Sequence, residues 1–229
     1  MKYIEAIVDQ QIRRWELEKR RPQSPEIQPP TGGPIITVSR QRGSGGSVVA
    51  ERLAELTGFS YVNREIIDQI SHETGAQKRL IESLDESVQS GFQLWVDGIL
   101  RGRIIDKSDY LQSLVKIIGA IMLHGKSIIV GRGANFIVGG RKGFNVRIIA
   151  DLDFRIASLS KRRGLTAGKA REEIAQSDQQ RKKFIDSHFN RNIDDPAAYD
   201  LIINSTYLEV DKVAALIMSS YAQKSYSEK

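Results

Sequence analysis

The stretch ITVSRQRGSGGSVVAERLAEL, residues 36–56, runs from a β-branched apolar segment through a glycine-rich turn into a helical pattern. A turn of this kind between strand and helix lets successive backbone N–H groups converge on an anion, and the helix N-terminus adds partial positive charge. Gly43, Gly45 and Gly46 supply the turn. Set against the phosphate-loop pattern GxxxxGK[ST], RQRGSGGS puts Arg40 at the first glycine, Gly45 at the second, Gly46 at the lysine and Ser47 at the magnesium-binding hydroxyl. Two of the four defining positions match. The charge that the lysine would bring must come from elsewhere, and Arg40 and Arg42 flank the turn. A guanidinium is a planar, permanently charged substitute, although its fork does not reproduce an ammonium's geometry.

Outward from this turn the chain alternates strands and helices. Residues 35–39, 127–131, 146–150 and 200–204 are short β-branched runs of the buried parallel type, and 59–62 is a weaker fifth. Helical patterns cover 47–57, 64–73, a long stretch from about 76 to 124, 153–162, 167–189 and 209–223. This alternation predicts an α/β three-layer sandwich with a parallel sheet. The stretch up to residue 124 exceeds what a crossover needs, so it is expected to form a helical sub-domain over one side of the site. Ahead of the first strand, Ile4, Ile7, Val8, Ile12 and Trp15 stand at helical spacing within residues 1–21. That amphipathic helix either packs on its own domain or docks on a second subunit or another protein. Pro22, Pro25, Pro29, Pro30 and Pro34 then mark residues 22–34 as a semi-rigid linker before a main domain at 35–229.

Composition bounds the function. At 229 residues and 40% hydrophobic the chain can bury one sizeable core. Its net charge of +6 suits an anionic partner. The aromatic share of 7%, with basic residues spread rather than blocked, argues against a nucleic-acid partner. Zero cysteines exclude disulfides and thiolate metal sites and fit a reducing compartment. No apolar run reaches the roughly 20 residues of a membrane helix and the N-terminus has no signal-peptide core, so a cytoplasmic protein without a membrane partner is expected. His72, His124 and His188 show neither metal-ligand spacing nor a catalytic-triad order.

Three ordered segments carry a family resemblance: ITVSRQRGSGGSVVAERLAELTGFSYVNREIIDQI from Ile36, IIVGRGANFIV from Ile128 and DPAAYDLIINST from Asp195. Together they resemble the cytidylate kinase-like family of P-loop nucleoside monophosphate kinases, over residues 35 to about 222. In that family an arginine after the first strand and a GSGG turn without lysine are the usual form of the loop. The resemblance implies a P-loop NTPase-type parallel sheet, a helical monophosphate-binding insertion at about 64–124 and a LID-like arm at about 160–195. It implies ATP and Mg2+ as cofactors, with Arg42, Gly43, Ser44, Gly45, Gly46, Ser47 and Arg162 on ATP and Ser47 near the metal. Tyr61, Asn63, Arg64, Asp178 and Asp200 become candidates for the acceptor, Asp200 at its ribose. Arg132 resembles the arginine of the GRD segment of bacterial CMP kinases, which grips the acceptor phosphate. Gly133 stands where that segment has an aspartate, so a metal or base role there is absent.

Phosphoryl transfer needs cations around the migrating group, and an arginine-bearing arm that closes supplies them and excludes water. Arg162, Arg163, Arg181 and Arg191 are the arm's candidates, with Asp178 one helical turn before Arg181. Arg40, Arg132 and Arg181 are the expected catalytic cations. The expected activity is transfer of the γ-phosphoryl group of ATP to CMP or dCMP. The alternatives are a nucleotide-binding regulatory module without turnover and a kinase for another small molecule.

Overall fold

The computed structural model describes residues 35–224, apart from 73, 85, 103–107 and 141, together with Asp9 and Arg13. The expected N-terminal helix and the proline-rich linker otherwise lie outside the described residues. Asp9 places its carboxylate 3.5 Å from Arg79 of the helical insertion.

Five strands form the sheet: β1 (Ile35–Arg40), β2 (Ser60–Val62), β3 (Ser127–Val130), β4 (Phe144–Ile149) and β5 (Leu201–Asn204). Their order is β2-β3-β1-β4-β5, and each pair is parallel. β1 is central because it is apolar on both faces, and a strand's two-residue period sorts its side chains between two cores. Ile36 and Val38 join one apolar cluster with Val49 and Leu53 of α1 (Gly46–Thr57) and Val213 and Ile217 of α9 (Val210–Gln223). Ile35 faces the other cluster, with the helical insertion. From β1 the chain winds first to β2 on one side and later to β4 on the other, so the winding reverses beside β1. In such sheets the ligand crevice opens at the carboxyl ends of the strands flanking that reversal.

The helical stretch expected at about 76–124 is three helices, α3 (Thr74–Glu82), α4 (Glu86–Gly102) and α5 (Asp109–His124), preceded by α2 (Arg64–His72). Its continuity fails at a cap, since the Ser108 hydroxyl accepts from the Leu111 N–H and starts α5 afresh. α5 is the axis of this sub-domain: Leu111, Leu114, Ile117, Ile118 and Ile121 are fully or almost fully buried. Gly119 lets α4 approach, because a Cβ there would lie 2.3 Å from the Trp95 ring. Beyond β3 come the short α6 (Ala134–Val138), then α7 (Leu152–Arg163) and the long α8 (Ala167–Phe189). α7 and α8 pair as the arm, with Thr166 capping α8 through the Lys169 N–H. A 3-10 turn (Pro196–Ala198) leads into β5. Among the described residues no helix is long and apolar enough to cross a membrane.

Candidate active site

The glycine-rich loop leaves the carboxyl end of β1 and is tied down by its own backbone. Gln41 N–H donates to the Ile148 carbonyl at 3.0 Å, and the Ser44 hydroxyl donates to the Gln41 carbonyl at 3.0 Å. Ser205 Oγ donates to the Ser44 carbonyl at 2.8 Å, which joins the loop to the end of β5. The three glycines serve different needs. Gly43 has φ +86°, and a Cβ there would meet the Arg155 carbonyl oxygen at 2.7 Å. Gly46 has Arg40 Cβ 2.6 Å from where its own Cβ would be. Gly45, at φ +79°, faces open space.

Arg40 bridges this loop to a second glycine turn. Its Nε donates to Ser47 Oγ at 3.3 Å, and its Nη1 lies so near Gly131 that a Cβ there would be 2.5 Å away. Burial lowers the Arg40 pKa. The arm closes over the loop through carboxylates: Asp178 accepts from the Arg42 backbone N–H at 2.8 Å and from Arg155 Nη1 at 2.5 Å. Glu173 accepts from Arg42 Nε at 3.0 Å and from Arg163 Nη1 at 2.7 Å. The hydrogen bond from Arg42 holds Glu173 below the usual carboxylate range. Arg181 Nη1 donates to the Arg40 carbonyl at 2.8 Å, and burial, with Arg40 nearby, brings its pKa down to about 10.

The second turn joins β3 to α6. Gly131, Arg132 and Gly133 have φ +86°, +52° and +66° in succession, a left-handed run that is costly at the arginine. Arg132 is largely buried and pairs with Asp68 of α2, and its guanidinium lies 5.2 Å from the Phe184 ring centroid and 5.7 Å from that of Tyr110. Its Nε is buried without a hydrogen-bond partner. Asp68 also accepts from Arg64 Nε at 3.3 Å and from the Tyr110 hydroxyl at 3.1 Å. Burial, together with this carboxylate, raises Tyr110 to about 12. Asp68, the partner of Arg132, was not among the residues singled out in the sequence. Its spacing from Arg64, four residues along one helix, was the available signal.

Both turns and the arm open into one cleft of about 470 Å³, lined by Arg40, Arg42, Arg64, Arg132 and Arg181 among others. Gly43, Ser44, Gly45, Gly46 and Ser47 do not line it, so the loop reaches the cleft through Arg40 and Arg42. Asp178 is outside the lining too, and its place is structural: it ties arm to loop. Five further expected residues have other positions. Asp200 sits before the first residue of β5, at the amino end of the sheet, where it accepts from the Asn145 N–H and from Lys224 Nζ, both at 2.7 Å. It lines a separate hollow of about 400 Å³, not the cleft, so the expected ribose contact is corrected by where the strand begins. Arg162 is exposed in the last turn of α7, outside the cleft lining, and its neighbour Arg163 makes the inward contact to Glu173. Arg191 lines the second hollow. Asn63 caps α2 by accepting from the Ile66 N–H at 3.0 Å, and Tyr61 is held beside Glu51 with its pKa raised to about 12, chiefly by burial. Neither lines the cleft.

Comparison with known proteins supplies the family. The family model described as cytidylate kinase-like family matches residues 35–207. Among curated proteins, the chain is 29% identical over 189 residues to a cytidylate kinase of Pyrococcus horikoshii, covering 81% of this chain and 87% of that one. A cytidylate kinase of Thermoplasma volcanium is 22% identical over 201 residues, covering 84% and 94% respectively. The fold is shared with an uncharacterized protein from Eubacterium ventriosum, with a TM-score of 0.67 at 22% identity over 84% of this chain and 99% of that one. A lysine-free phosphate loop, a parallel sheet reversing beside β1 and a family match over most of the folded part agree: this chain belongs to the cytidylate kinase-like family.

Proposed function

We propose that this protein transfers the γ-phosphoryl group of ATP to a nucleoside monophosphate, CMP or dCMP. The observation that carries the reading is the convergence of Arg40, Arg42, Arg132 and Arg181, from two glycine turns and the arm, on one cleft in a chain of this family. The loop suits a phosphate chain. Gly45 leaves open space beside it, and the Arg42 N–H is engaged by a carboxylate oxygen, so an anionic oxygen fits that donor. Among the described residues no group of three His, Asp or Glu side chains could hold a metal, so magnesium would rest on phosphate oxygens and the Ser47 hydroxyl. When bound, ATP with magnesium supplies the phosphoryl group and neutralises part of its charge.

The protein's own task is then positioning and charge. Arg132 holds the acceptor phosphate, and Arg40 and Arg181 face the group in transit, where fixed cations stabilise charge better than reorienting water. No general base is needed, since the acceptor oxygen is already anionic. The bond from the γ-phosphorus to the departing ADP oxygen breaks as the bond to the acceptor phosphate oxygen forms.

A coupled assay over the nucleoside monophosphates, with ATP and magnesium, tests this. Turnover fastest with CMP or dCMP is the expected outcome. Tight ATP binding without transfer to any acceptor would replace the proposal with a nucleotide-binding module, whose arm already latches the loop through Asp178 and Glu173.

A further inference from the structure

The cleft has a charged end and a neutral end. At the neutral end Ala134, Ile185 and Ile193 belong to one apolar cluster, with Phe184 packed against it, and all four line the cleft. Asn135 lies among them. It is 8% exposed, and its Nδ2 is buried without a hydrogen-bond partner. Its polar neighbours on the sheet are not in this state, since Thr37 Oγ1 donates to Asn145 Oδ1 at 2.7 Å. Asn135 also lines the second hollow, so it stands in the wall that the two cavities share. A buried amide that forms no hydrogen bond penalises the folded state, and a site keeps such a group when a ligand completes it.

We propose that Asn135 reads the nucleobase of the acceptor, donating from Nδ2 to the ring N3 of a pyrimidine held beside Phe184. This rests on the kinase reading above, in which Arg132, three residues earlier, holds the acceptor phosphate. A phosphate calls for cations, whereas an uncharged amide in apolar surroundings matches an uncharged heterocycle. Phe184, whose ring also carries the Arg132 guanidinium at 5.2 Å from its centroid, gives the base an apolar neighbour on the cleft wall. Both pyrimidines present an acceptor at O2, but N3 is an acceptor in cytosine and an N–H donor in uracil. A donor at Asn135 therefore favours the cytosine edge.

The test measures calorimetric binding of CMP, UMP and ATP to the wild type and to Asn135→Leu and Asn135→Asp, with Tm recorded for each. Wild type is expected to bind CMP more tightly than UMP. Asn135→Leu should lose about tenfold or more in CMP affinity, the scale of one directed hydrogen bond, with ATP affinity unchanged and Tm not lowered. Asn135→Asp, which removes the donor, should lower the CMP-to-UMP affinity ratio, and it carries the comparison alone should the leucine variant not fold. CMP affinity and base ratio untouched in both variants would overturn the assignment, as would a loss of CMP and ATP binding together with a fall in Tm. The two proposals fail separately. Phosphoryl transfer without sensitivity at Asn135 removes the base reader alone, and base-selective binding through Asn135 without transfer removes the kinase reading alone. If the wild type binds neither monophosphate, both are wrong.

Discussion

The two glycine turns of the site, residues 41–47 and 131–135, are built alike and finished differently. Each follows a buried parallel strand, each precedes a helix, and each holds left-handed residues. In the first turn the polar groups are met by the protein: Ser44 bonds to Gln41 and Ile148, Ser205 bonds to Ser44, and Asp178 takes the Arg42 N–H. In the second, Arg132 Nε and Asn135 Nδ2 are buried with no partner. The difference separates two ways of making a binding site. The loop is preorganised by bonds that persist without ligand, so its shape is a folding property. The second turn leaves buried donors unmet, at a cost to the folded protein.

The largest expected effect breaks the loop's side of this contrast. Gly43→Ala would force a Cβ to within 2.7 Å of the Arg155 carbonyl oxygen at a φ of +86°. A left-handed non-glycine residue costs about 1–2 kcal/mol and overpacking about 1–3 kcal/mol more. The combined loss of about 2–5 kcal/mol should appear in a denaturant titration as a lower midpoint at unchanged slope. Because the obstacle is backbone, it cannot move aside as a side-chain tip does.

The next effect is smaller in stability and larger in chemistry. Arg132→Ala removes a cation from the cleft, and Asp68 keeps Arg64 and Tyr110 as partners. Transfer should fall by at least about tenfold in kcat/KM, the scale of one charged phosphate contact, while the fold persists. Full activity in this variant would take Arg132 out of the site and make the second turn a structural feature only.

The same contrast explains what the sequence made legible. The helix expected at 167–189 is observed as Ala167–Phe189, because a threonine cap starts it and Asn190 in a left-handed conformation ends it. The strands were readable because a central parallel sheet needs unbroken β-branched runs. The long insertion read as a helical stretch without internal boundaries, and the start of α5 shows only once the Ser108 hydroxyl meets the Leu111 N–H. At the site, Arg40, Arg132 and Arg181, the expected catalytic cations, all line the cleft. Asp68 was legible only as a partner of Arg64 in the same helix, since Arg132 is 64 residues away and only the fold brings them together. Asp200 stands apart from the cleft. The resemblance implied a ribose contact for it, and strand direction puts it at the amino end of β5.

The smallest predicted effect sharpens the comparison inside the loop itself. Gly45 has φ +79°, close to the value at Gly43, yet a Cβ at Gly45 would meet nothing within 4 Å. Gly45→Ala therefore pays the conformational term without the steric one, about 1 kcal/mol, and should fold with a Tm lower by about 2–4 °C. Stability losses that match between Gly43→Ala and Gly45→Ala would mean that left-handed geometry alone sets the loop, and the Arg155 contact would lose its role. A loss at Gly43 at least about twice that at Gly45 would place the loop's rigidity in its seating against α7, where Arg155 also reaches Asp178 of the arm. The arm would then be coupled to the phosphate loop through one arginine whose backbone and side chain both take part.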